Sequence, residues 1–449
     1  MLAYPELAAI RLGYGLSPLS DTPADPVALV ESVALAAPDG EAFSMARDYL
    51  PHRSRHADMN RKGAQKDPAA LQALRDALRD LGLRAPRIRV ARAVGDGGGF
   101  GERLVQFWAD HFTVTTGNPF DAVAAAAFVD EAIRPHLTGS FADLMFAAET
   151  HPRMITFLDQ TTSAGPNSRA GKGGRGVNEN LAREMIELHS LGAGSGYAQA
   201  DVRQLALLLT GLTFRSNRDA TSFFNRNWAE PGQFQVLGKT YDRGEGQAAI
   251  RQVIDDLAGH DATARHVARK LAVHFVSDDP PVNLVQRLAQ AFRGSRGDLP
   301  TLYLALAEAP EMRACFRQKV RQPLDYLVAA LRGCGLSRQD IMALDPRDFQ
   351  NGVLGGMTIM GQKWGSPRGP DGWPEDAQAW ATPQGLAGRI DWAMRLLPKL
   401  CPSPPDPRDV LQAALGDSAS NTLRQAVPRA ESPAEGLALI LASPDFNRR

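Results

Sequence analysis

Residues 69–83 read AALQALRDALRDLGL, and this stretch decides the fold class. Leu71, Leu74, Leu78 and Leu81 recur at three- and four-residue steps, with Arg75, Asp76, Arg79 and Asp80 between them. That period puts the leucines on one stripe of an α-helix and the charges on the other side. The same pattern returns at Arg103–Phe112, Ala122–Leu137, Val177–Leu191, Asp201–Leu212, Ala262–Val276, Val282–Phe292, Val320–Leu331 and Gly385–Leu397, and twice more near the end of the chain, at Leu411–Leu415 and Ala434–Leu441. Start signals agree with it. Proline follows Thr382 and Ser432 where a first helical turn needs no N–H, and Glu435 stands three residues after Ser432.

The expected fold is therefore mostly α: a large, bundle-like globular protein with long Gly/Pro-rich loops and one small β-hairpin. The hairpin is expected in Thr210–Phe214, Ser222–Phe224 and Phe234–Val236, where aromatic and alternating residues replace the helical period. The loops are 161–176 (TTSAGPNSRAGKGGRG), 361–372 (GQKWGSPRGPDG) and 401–407 (CPSPPDP). A chain of 449 residues exceeds one ordinary core. The organisation expected is an N-terminal helical region, 1–215, carrying the candidate site, an irregular or hairpin insertion, 216–250, and a C-terminal helical region, 251–449. One continuous domain is the alternative.

Composition narrows the function classes. Lys plus Arg and Asp plus Glu are 50 each, so no global field draws the chain to phosphate backbones. Cys315, Cys334 and Cys401 are far apart and odd in number, which suits small buried hydrophobes better than a disulfide framework. No apolar run is long enough to span a bilayer. The cytoplasm is the default compartment, with the periplasm the alternative if a leader was removed.

Several stretches together resemble the bacterial "domain of unknown function 1800" family: QFWADHFTV (106–114), HPRMITFLD (151–159), RGVNENLAREMIELHSLG (175–192), GYAQADVRQLALLLTGLTF (196–214), RHVARKLAVHFVSDDPP (265–281), GPDGWP (369–374) and ASPDFNRR (442–449). The resemblance implies a helical protein encoded beside a partner of the "domain of unknown function 1501" group, itself similar to phosphatases and sulfatases. It implies no catalytic residue, metal or cofactor, so the cofactor stays unknown.

Candidate chemistry is read from the residues themselves. His111 falls with Leu104, Phe107 and Trp108 on the apolar side of its helix, and His189 lies on the apolar side of another. A buried imidazole needs a partner. The expectation is that His111 and a carboxylate such as Glu184 meet in the interior, with His189 nearby, as an acid–base or metal site. The bland alternative is that each His is a satisfied core residue. Asn180, Glu184 and Glu187 share a face, Arg183 is spaced to pair with Glu187, and Asn178 can cap the helix. A second candidate is the loop carrying Arg169, Lys172 and Arg175 as an anion-binding or merely mobile surface. A third is the Trp segment around Trp373, which either stacks on a ligand or pins an irregular loop.

Three functions compete. One is an interaction or assembly protein for the phosphatase/sulfatase-like partner. Another is an enzyme with an interior His–carboxylate site. The last is a polyanion or glycan binder. The sequence holds no nucleophile elbow, dinucleotide fingerprint or zinc-ligand spacing.

Overall fold

A computed structural model describes residues 2–61, 67–95, 99–215, 218–242, 244 and 246–449. Helices form nearly all of the regular structure. The leucine-striped segment lies in the Pro68–Gly95 helix, which continues through Pro86. Leu74 and Leu78 are buried, and the exposed Arg79 faces outward beside Asp76 and Asp80. Helices that start at Thr382 and Ser432 carry the expected side-chain caps, to the backbone N–H of Gly385 and of Glu435. All three cysteines are buried thiols.

The non-helical stretch yields two ribbons. β1 (Leu212–Phe214) pairs antiparallel with β2 (Ser222–Phe224), and β3 (Gln233–Val236) with β4 (Lys239–Asp242). β4 carries no alternating pattern in the sequence because Tyr241 alone of its residues is buried. Leu237 and Gly238, both at positive φ (51° and 77°), make the tight turn between β3 and β4.

Buried side chains gather in one large cluster that draws on residues from Leu7 to Cys315, a second from Tyr14 to Phe446, and a small one around Phe43, Leu74 and Val123. Charges are threaded through this apolar packing. Arg134 makes a bidentate pair with Glu102, at 2.5 and 2.9 Å, and also holds Asp130. Arg103 binds Asp325 at 2.8 Å and donates to His274 Nε2 at 2.9 Å. His274 Nδ1–H in turn meets Glu375 at 2.5 Å, and Glu375 faces Lys319 at 3.0 Å. Arg449 is wholly buried and donates to the carbonyls of Arg11 and His274. These fixed charges tie the Phe100–His111 helix, the Asp261–Phe275 helix and the 369–376 loop into one frame. No described helix is long and apolar enough to cross a membrane.

Candidate functional site

The three tied segments line a pocket of about 230 Å³. The Phe100–His111 helix contributes Phe107, Asp110 and His111, which share a face at steps of three and four. The Asp261–Phe275 helix contributes His266, Arg269, Lys270 and Val273. The loop contributes Asp371, Trp373 and Glu375.

Local geometry fixes Asp110. The backbone N–H of Trp373 lies 3.1 Å from each of its carboxylate oxygens. That approach requires Gly372, which sits at φ +87°; a Cβ there would fall 2.6 Å from Asp110 Oδ2. Burial, with Glu375 and Asp371 adding repulsion, pushes the Asp110 carboxyl up to about 7 despite the counter-pull of Lys270 and the Trp373 N–H. Asp110 and Trp373 also border a second, smaller pocket of about 100 Å³ beside Gln106 and Trp364.

Lys270 makes no hydrogen bond or ion pair within 4.0 Å with any described residue. Burial depresses its pKa, and the carboxylates of Asp110, Glu375 and Asp371 only partly offset that. Both neighbouring imidazoles are neutral. His266 Nε2–H donates to the Leu188 carbonyl at 3.0 Å, and burial lowers its pKa to about 4. His111 Nε2–H donates to the His189 carbonyl at 3.1 Å, and burial lowers its pKa well below the ordinary histidine value. His274, behind the pocket wall, is likewise lowered by burial to about 4, while burial of Glu375 is outweighed by His274 and Lys319, which hold it anionic.

The sequence-derived candidates distribute around this pocket. His111 lines it, and the His189 ring lies 6.0 Å from His111, centroid to centroid, in the layer behind. The carboxylate on His189 is Glu149, whose Oε1 is 2.7 Å from Nδ1, with both side chains fully buried. Glu184 is half-buried, outside the pocket lining, and is raised by burial and by Glu187 and Glu149 although His189 pulls it down. Arg183 bridges Glu187 and Glu179 at 3.3 Å each. Asn178 accepts the N–H of exposed Asn180 at 2.8 Å, closing the helix start. Arg169 and Lys172 are exposed, and Arg175 stacks on Trp228 at 4.2 Å; these three stand apart from the pocket lining. Trp373 lines the pocket and packs 6.0 Å from Trp380. Among the described residues, no group of three His, Cys, Asp or Glu side chains is arranged to hold a metal ion.

Asp110, Lys270, His266, Asp371, Glu375 and Glu149 escaped the sequence reading. One signal was present: His266, Lys270 and His274 recur at four-residue steps, a titratable stripe on a helix whose neighbours Val267, Leu271 and Phe275 are core.

Fold and site together define a class: a mostly α-helical protein with a small, charged pocket bordered by a glycine-containing loop. The chain belongs to the family described as "Protein of unknown function (DUF1800)", whose model matches residues 8–448. No curated protein and no solved structure matches it.

Proposed function

We propose that this protein binds a small polar ligand in the Asp110–Lys270 pocket and performs acid–base chemistry on it. One observation carries the reading. Three distant segments bring a carboxyl that titrates near 7 and an unpartnered lysine into a single cavity, flanked by two neutral imidazoles. Groups tuned this way serve as proton donor and acceptor near neutral pH. A merely structural network would pair them, as Glu375 is paired with His274 and Lys319. The His111 expected at an interior site is a wall of this pocket, and Glu149–His189 supports that wall from behind through the His189 carbonyl.

Thermal-shift titration with small carboxylic acids, aldehydes and ketones tests this, using wild type, Asp110→Asn and Lys270→Met. At least one compound should stabilise wild type and neither variant. Equal stabilisation of all three would remove the pocket as the site.

A second reading is association with the phosphatase/sulfatase-like partner of the "domain of unknown function 1501" group that the resemblance implies. One surface favours it. Leu386, Ile390 and Met394 stand exposed at four-residue steps, with Ile359 and Leu439 beside them. Ile390→Lys should abolish co-purification with that partner, whereas Lys270→Met should not.

A further inference from the structure

Lys270, partly buried in the pocket wall, differs from three of the fully buried cations. Arg103, Arg134 and Lys319 each hold a carboxylate within 3.0 Å. Lys270 lines a cavity and holds none. A partly buried ammonium without an ionic partner loses some of its hydration, which shifts the balance toward the neutral amine. A neutral amine is a nucleophile. Asp110 lines the same cavity, and its carboxyl is close enough to Lys270 for each to influence the other's ionisation.

We propose that Lys270 captures a small aldehyde or ketone covalently, as an imine between its ε-nitrogen and the ligand's carbonyl carbon, with Asp110 as the acid that releases water. This rests on the pocket reading above and names its ligand class.

The steps balance without an oxidant or reductant. The Lys270 nitrogen lone pair attacks the carbonyl carbon, and the C=O π pair moves to oxygen. A proton passes from nitrogen to that oxygen, giving a neutral carbinolamine. The Asp110 carboxyl then protonates the hydroxyl, the C–O bond breaks, and water departs. The nitrogen lone pair forms C=N, leaving an iminium beside the Asp110 carboxylate. One amine, one carbonyl and one Asp110 carboxyl become one iminium, one water and one Asp110 carboxylate; return of that proton to Asp110 leaves the neutral imine.

The surroundings suit each step. Burial lowers the Lys270 pKa from its ordinary value, which favours the free amine, and an Asp110 carboxyl near 7 keeps much of its proton at neutral pH. His266 and His111 stay uncharged on two sides, so they add no full charge against the iminium. Glu375 on the loop is anionic, and so favours the cationic product. Arg269, exposed at the pocket and without an ion-pair partner among the described residues, suits a carboxylate on the same ligand. A cavity of about 230 Å³ suits a small ligand.

Reductive trapping tests this on the intact protein. Wild type is incubated at pH 7 with sodium cyanoborohydride and either pyruvate or glyceraldehyde, then mapped by peptide mass spectrometry. Lys270 should be labelled at least about tenfold faster than exposed Lys239 and Lys172, and Asp110→Asn should slow Lys270 labelling by about 10²-fold. Pyruvate outpacing glyceraldehyde would assign the carboxylate contact, and Arg269→Gln should erase that preference. Labelling of Lys270 no faster than Lys239 with both probes, or unchanged by Asp110→Asn, would overturn the proposal. If Asp110 still titrates near 7 in that case, the acid–base pocket stands and the imine alone is lost.

Discussion

The backbone N–H of Trp373 meets both carboxylate oxygens of Asp110 at 3.1 Å, although 263 residues separate the two in the chain. A single main-chain donor therefore fixes the orientation of an acid whose burial raises it toward neutrality. The loop both lines the pocket and aims its acid.

Asp110 should leave a mark on the pH dependence of stability. With a folded pKa near 7, it holds a proton that the unfolded chain has lost between about pH 4 and pH 7. Folding in that window takes up the proton, so this contribution to stability falls as pH rises and is gone above 7. Asn at 110 does not titrate. Denaturant unfolding should show Asp110→Asn gaining on wild type by on the order of 2–4 kcal/mol from pH 4 to pH 7. His266 and His274, held near 4, act oppositely, because the unfolded chain protonates them first as pH falls below about 6.5. Their effect is common to both proteins and cancels in the difference. A flat difference would contradict the burial assigned to Asp110.

Asp325 is the hinge of the ionic frame behind the site. It lies 2.8 Å from Arg103 and 3.5 Å from Arg449; burial pushes its carboxyl up, but the two arginines hold it below the usual range. Asp325→Ala strands two buried guanidiniums and should cost about 3–5 kcal/mol in chemical denaturation. Loss of under about 1 kcal/mol would mean the frame is held by packing alone.

Gly372 and Gly361 separate strain from contact. Both have positive φ, 87° and 99°, but a Cβ at 361 meets open space while one at 372 strikes Asp110. Gly361→Ala should cost about 1 kcal/mol, and Gly372→Ala clearly more, about 2–3 kcal/mol, by thermal or denaturant unfolding. Equal losses would show that the loop does not press on Asp110.

Glu149 and His189 form a sealed pair at 2.7 Å, with Glu149 Oε2 and His189 Nε2 buried and unpartnered among the described residues. Removing one member leaves the other more exposed to an apolar interior. Glu149→Leu and His189→Phe should each destabilise, and the double variant should cost less than their sum by about 1–3 kcal/mol. Additive losses in equilibrium unfolding would show the two side chains do not act as a pair.

Helices with a clean apolar stripe were legible in the sequence, because burial of one face leaves a 3.6-residue period. Pro68–Gly95 and Asp261–Phe275 follow that rule. β4 was not, since a ribbon with a single buried residue leaves no alternation. His111 was legible as an interior residue for the same reason as the helices. By spacing, Asp110 falls with Gln106 and Arg103 on the polar side of that helix, yet Arg103 is fully buried and Asp110 lines the pocket. A polar face that packs on other polar groups looks, in one dimension, like a face in water. Likewise, nothing local reveals that 369–376 folds back over residue 110, so the meeting of Asp110, Lys270 and Trp373 belongs to tertiary structure alone.

The ionisation of Asp110 decides the account most directly. Infrared difference spectra of wild type minus Asp110→Asn, taken from pH 3 to pH 10, isolate its carboxyl band. The pocket described above demands a protonated carboxyl that disappears with a midpoint near 7. A midpoint near the ordinary aspartate value of about 4 would contradict it.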